Sequence, residues 1–117
     1  WTEAGKLARA AYRLTMSPPL QRHFSLADQI RRAAISVPAN IAEGYGLGTR
    51  PQLVRCFHIA LGSAYELRTC VDLAKDLDLV GEKGLSVSEN SSLVIRLLIG
   101  LLCTPIRETV WANTSPL

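Results

Sequence analysis

Apolar residues return at three- and four-residue steps along most of this chain, the spacing that gathers them on one face of a 3.6-period helix. In the first segment, residues 2–16, Ala4, Leu7, Ala8, Ala11 and Leu14 make that face. Ser17-Pro18-Pro19 ends the segment, because proline lacks the N–H a helix needs and disfavours helix in the residue before it. A second helix is predicted over 25–44, opened by Ser25 as N-cap with Asp28 in the first turn, and Leu26, Ile30, Ala33, Val37 and Ile41 form its apolar face. Pro38 lies inside it, yet the apolar phase continues across the proline, which predicts one kinked helix rather than two. Gly44, Gly46 and Gly48 close it, with a positive φ expected at one of them and Tyr45 packed over the corner.

A third helix is predicted over 51–79, with Thr49 as N-cap and Pro51 in the first turn. Leu53, Phe57, Ala60, Ala64, Leu67, Val71 and Ala74 form a core seam. Cys56, Ile59, Ser63, Glu66, Cys70, Leu73 and Leu77 run beside it as a second stripe, expected to be buried as well. After a break at Gly81–Gly84, a fourth helix is predicted from 86 to 110, bent near Pro105. Its stretch from Val94 to Leu102 is apolar nearly all round, more than a monomer's surface helix needs, so part of it is expected to face another subunit. Short turns between four helices give an all-α, antiparallel up-down-up-down four-helix bundle, a single domain over residues 1–117.

Helix two carries a second line, Gln29, Arg32, Ser36, Asn40 and Glu43, whose Ser and Asn suit hydrogen bonding better than a plain solvent face. Helix three offers Ser63, Glu66 and Thr69 beside the small Gly62 and Ala64. As antiparallel neighbours these helices would join Arg32, Ser36, Asn40, Glu43, Ser63 and Glu66 into a structural polar network that fixes register, with Arg32 and Glu66 as a buried ion pair. The alternative is a polar ligand pocket between the helices.

Composition narrows the classes. A chain of 117 residues, 48% hydrophobic and 20% charged, has room for one core and an apolar excess consistent with a buried subunit contact. A net charge of +3 permits an RNA or DNA partner without requiring one. Cys56, Cys70 and Cys103 are too far apart for zinc pairs and read as reduced thiols of a cytoplasmic protein. No signal peptide is visible, and the apolar run Leu93–Cys103, interrupted by Arg96, is too short to span a bilayer, so no membrane partner is expected.

Catalytic patterns are equally sparse. Neither His23 nor His58 completes the Glu-x-x-His spacing that di-iron bundles use. Ser63 and His58 lie five residues apart, pointing in different directions, and only Cys103 has a basic residue, Arg107, at helical spacing. Gly44–Gly48 has neither a preceding strand nor a following Gly-Lys-Ser/Thr and so reads as a corner rather than a phosphate loop. No catalytic residue, metal ligand or cofactor is assigned. Basic residues form the candidate functional surface: Lys6, Arg9 and Arg13 in one stripe on helix one, with Arg31, Arg50 and Arg55 in or near the second and third helices.

Two stretches, QIRRAAISVPANIAEGYG and FHIALGSAYELRT, together with Ala8, Tyr12, Thr15 and Pro18, resemble the four-helix bundle proteins encoded within 23S rRNA intervening sequences. The resemblance spans the first three helices, and the last third matches in character. It implies a small cytosolic bundle that assembles into a ring, with a pentamer as the known form. More distantly, the chain is similar to the accessory protein of diversity-generating retroelements, a basic pentamer that binds nucleic acid and a reverse transcriptase. The function expected is non-enzymatic: a homo-oligomeric scaffold, pentameric by resemblance, that associates with RNA or DNA or with a nucleic-acid enzyme. The alternatives are a protein-interaction ring without nucleic-acid affinity, and a ligand-binding or enzymatic bundle using Arg32, Glu43 and Glu66.

Overall fold

Four apolar stripes become four helices. The computed structural model describes residues 1–104, which form α1 (Thr2–Leu14), α2 (Phe24–Gly46), α3 (Arg50–Asp76) and α4 (Glu82–Cys103), with a single 3-10 turn at Leu20–Arg22 and no strand among the described residues. The predicted stretch of the fourth helix beyond 104, its bend at Pro105 and the Cys103–Arg107 spacing lie outside the described residues.

Helix ends differ from the periodicity by a few residues, each for a local reason. α1 stops at Leu14, where the buried Thr15 hydroxyl donates to the Tyr12 carbonyl at 2.6 Å and its backbone N–H bonds the same carbonyl. α2 opens at Phe24 with His23 as the flanking residue, so Ser25 lies inside the first turn and caps nothing. It runs unbroken through Pro38, Gly44 and Gly46, and the chain turns only at Gly48, which has φ 78°. At this corner the Tyr45 ring packs edge-on against Phe57 with centroids 5.6 Å apart. Thr49, extended and flanking Arg50, precedes α3 with Pro51 in its first turn.

α3 ends when Asp78 takes φ 57°. The Leu79 and Asp78 N–H groups then bond back to the Ala74 and Lys75 carbonyls at 2.9 and 3.0 Å. α4 begins at Glu82, four residues before the predicted start. The Gly81–Gly84 stretch read as a break is the helix opening itself. A Cβ on the buried Gly84 would collide with the Val80 side chain, so glycine is required where the connection folds back over the first turn.

α2 packs on α3, α3 on α4, and α1 on both α2 and α4. Ser36 meets Ser63 across α2 and α3. Across α3 and α4, Asp72 meets Ser88 and Arg68 meets Ser92, so numbers rise along one helix as they fall along the other. The whole seam from Leu53 to Ala74 is buried, as are Ala4, Leu7, Ala11, Leu14, Ile30, Val37 and Ile41.

The second stripe of α3 is not covered within the chain. Cys56 is buried, but Ile59, Glu66, Leu73 and Leu77 are exposed and Cys70 is half-buried. α4 likewise exposes Leu85, Leu97, Ile99 and Leu101 while burying Val87, Ser91, Val94, Ile95 and Leu98. With apolar residues on both sides and 22 residues, α4 is long and apolar enough by length and composition to cross a membrane, unlike the shorter run considered from sequence. Its inward side is nonetheless a bundle face, packed on α3 and α1.

Candidate nucleic-acid interface

α1 divides cleanly. Ala4, Leu7, Ala11 and Leu14 face the core, while Lys6, Arg9 and Arg13, three and four residues apart, stand exposed on the opposite side. The Arg9 guanidinium lies back over Gly5, where an added Cβ would come within 3.2 Å of Nη1. Lys6 shares its charge with Glu3 at 3.6 Å, an exposed pair of small worth.

Arg31 joins this line from α2. Its Nε donates to Thr15 Oγ1 at 2.7 Å, Nη2 donates to the Thr15 carbonyl at 3.3 Å, and Cζ sits 5.3 Å from the centre of the Tyr12 ring. The positions of Tyr12 and Thr15, noted from sequence as a pattern, thus acquire a physical content: they are the two residues of α1 and its end that hold this guanidinium. Arg50 and Arg55 are exposed but belong to α3, across the bundle from α1, so they are not part of this surface.

Lys83 is the cation that sequence reasoning missed, because it fell in the supposed break. With Arg13 it lines a cleft of about 880 Å³ between the Ser17–Pro19 loop and the turn from α3 to α4. Asp78 and Glu82 line the same cleft, and its walls include Leu14, Leu79 and Val87.

The polar line between α2 and α3 is brought together only in part. Ser36 and Ser63 share a hydroxyl–hydroxyl bond of 2.7 Å, and Asn40 Nδ2 donates to the Ser36 carbonyl and Oγ at 2.8 and 3.0 Å. Arg32 is not paired with Glu66. It is exposed and bonds Asp28, one turn earlier on its own helix, at 2.9 Å. Glu43 and Glu66 are exposed too. The physical reason is desolvation: short hydroxyls and an amide satisfy one another at a close helix contact, whereas a buried ion pair must repay the loss of water around both charges. What remains is a three-residue register lock.

Chemistry elsewhere on the chain is muted. His58 Nδ1 donates to the Val54 carbonyl at 2.9 Å, facing its own helix and away from Ser63. Among the described residues no three His, Cys, Asp or Glu side chains gather closely enough to hold a metal ion. Gly44 and Gly46 lie at the carboxyl end of a helix, where backbone carbonyls and not N–H groups point outward, the wrong polarity for phosphate. Burial, and then the Glu66 charge, push the Cys70 thiol up, while Cys103 is exposed.

The family model for the 23S rRNA-intervening sequence protein matches residues 1–100. Among solved structures, a protein of unknown function from the S23 ribosomal protein family of Bacteroides thetaiotaomicron superposes with a TM-score of 0.76 at 25% identity, covering 88% of this chain and 97% of that one. No curated protein matches. With nearly the whole described chain matched, the protein belongs to the 23S rRNA-intervening sequence protein family.

Proposed function

We propose that this protein is a non-enzymatic, cytoplasmic oligomeric scaffold that associates with nucleic acid through the outward face of α1. The observation that carries the reading is the solvent-exposed line Lys6, Arg9 and Arg13, extended by Arg31 on one side and Lys83 on the other. Phosphates bound along such a line release counterions, so the affinity is salt-sensitive and largely indifferent to sequence.

Assembly is supported by the apolar residues that a single chain leaves uncovered, Ile59, Leu73 and Leu77 on α3 and Leu97, Ile99 and Leu101 on α4. Placed in an up-down-up-down bundle and repeated about a ring, with a pentamer as the form expected from resemblance, these faces bury one another and the α1 line becomes a multivalent band. The exposed, separated positions of Arg32, Glu43 and Glu66 weigh against an enzymatic or ligand-binding use of that stripe.

The test is sedimentation of the purified protein followed by electrophoretic binding of total RNA and DNA across a salt series. A discrete oligomer whose nucleic-acid complex dissolves with salt supports the reading. An oligomer that binds nothing at low salt returns it to a protein-interaction ring.

A further inference from the structure

We infer that Tyr12 and Arg31 form a base-stacking platform, and that the α1 face therefore favours single-stranded nucleic acid over duplex. This rests on the reading that α1 meets nucleic acid and names the form of partner it takes.

Tyr12 is 40% exposed, while the apolar positions of α1 that face the core, Leu7, Ala11 and Leu14, are at most 8% exposed. A free surface arginine beside it would sample many rotamers. Arg31 is instead fixed over the ring by its two bonds to Thr15, whose own hydroxyl is anchored on the Tyr12 carbonyl. The pair is organised before any ligand arrives, so little side-chain entropy remains to be lost on binding. Aromatic rings and guanidinium groups are the surfaces on which unstacked bases lie.

Phosphate contacts are placed to match. Arg9 precedes Tyr12 by three residues and Arg13 follows it directly. From Lys6 to Arg13 the helix rises about 10 Å at 1.5 Å per residue. That length spans only a few phosphates of either a duplex or a single strand, so the cations alone do not choose between them. A duplex hides its base faces and uses only the cations here, whereas a single strand uses cations and ring together.

A second Tyr–Arg pair supplies the comparison. Arg68 lies 5.1 Å from the Tyr65 ring centre and bonds Ser92 at 3.4 Å. Around Tyr65, however, Leu61, Gly62 and Thr69 bring no further cation within a turn of its own helix. On its own helix Tyr65 has a ring and one guanidinium but no row of cations like Lys6, Arg9 and Arg13, so it serves as the comparison.

The experiment measures fluorescence-anisotropy binding of oligouridylate, oligodeoxythymidylate and a duplex of matched length to the intact oligomer at low salt. Either single strand is expected to bind about tenfold tighter than duplex, and Tyr12→Ala to lose about tenfold on single strands alone. Tyr65→Ala is expected to bind as the unmodified protein does, and Tyr12→Phe, which keeps the ring, to retain more single-strand affinity than Tyr12→Ala. Single strands carrying iodouracil are expected to photo-cross-link to Tyr12, a readout that needs no variant. Comparison of the RNA and DNA arms shows whether the 2′-hydroxyl is read. Cross-links only at other residues, or full single-strand affinity in Tyr12→Ala while Arg9→Glu/Arg13→Glu abolishes all binding, would overturn the platform and leave the basic face standing. If the unmodified protein binds none of the three, both readings fall.

Discussion

The Arg31 guanidinium reaches from α2 to the buried Thr15 hydroxyl at 2.7 Å, tying the end of α1 to the neighbouring helix. Thr15→Val keeps the shape and removes the acceptor, leaving a half-buried charge short of a partner. The variant is expected to lose about 1.5–3 kcal/mol in urea unfolding, the range for hydrogen bonds to charged groups. A loss below about 0.5 kcal/mol, within the noise of surface substitutions, would show the tie to be incidental.

Ser36 and Ser63 should behave as one unit. A double-mutant cycle of Ser36→Ala and Ser63→Ala is expected to give a coupling of about 0.5–1.5 kcal/mol, since either single change removes the hydroxyl–hydroxyl bond, with Asn40 Nδ2 still donating to Ser36 Oγ when Ser63 is lost. Strictly additive effects would remove the register lock from the account of α2 and α3.

Two glycines near the same corner are expected to respond in opposite directions. At Gly44 an added methyl would meet Cys56 Cβ at 3.0 Å and Leu53 Cδ1 at 3.2 Å, so these neighbours on α3 would have to give by a few tenths of an ångström. Gly44→Ala is expected to cost about 1–3 kcal/mol by overpacking. Gly46, still helical, has nothing within 4 Å of that methyl, and Gly46→Ala is expected to gain a fraction of the roughly 1 kcal/mol of helix preference. Thermal melts of the pair decide the matter, and equal shifts would contradict a close approach at Gly44.

Cys70 and Cys103 should differ in reactivity. Burial and the neighbouring Glu66 charge raise the Cys70 thiol above its ordinary value, so at a given pH it holds less thiolate than a free cysteine, and being half-buried it is expected to alkylate more slowly than the exposed Cys103. Glu66→Gln is expected to quicken Cys70 alone, read by iodoacetamide labelling and mass spectrometry. The sign for stability follows: with the folded thiol raised, the unfolded chain sheds its proton first. Cys70 therefore contributes full stability below the ordinary thiol range and loses it as pH rises through the raised value. Labelling of Cys70 as fast as Cys103 would argue against the buried setting.

Periodicity alone identified the inward faces of the first three helices, because burial enforces a 3.6-residue repeat wherever side chains must reach one core, whereas α4, apolar nearly all round, offered no single face. It could not place ends that depend on contacts distant in sequence. Gly84 looks like a helix breaker until Val80 is seen folded over it, and that misreading hid Lys83. Arg32 and Glu66 share a pattern with Ser36 and Ser63, but pattern does not report depth, and long charged side chains at the edge of a contact turn outward to water. Tyr12 was legible as a recurring letter, and only the position of Arg31 shows what its ring does.

α1, which carries the basic line, has 13 residues against 27 in α3. A short helix has the fewest backbone hydrogen bonds and the least buried surface to hold it closed, so amide exchange should be fastest along α1 even while the α2–α3 pair stays protected. A nucleic acid laid across this helix would then act as a splint. Slower deuterium uptake by α1 in the complex would register binding as the tightening of the bundle's loosest edge.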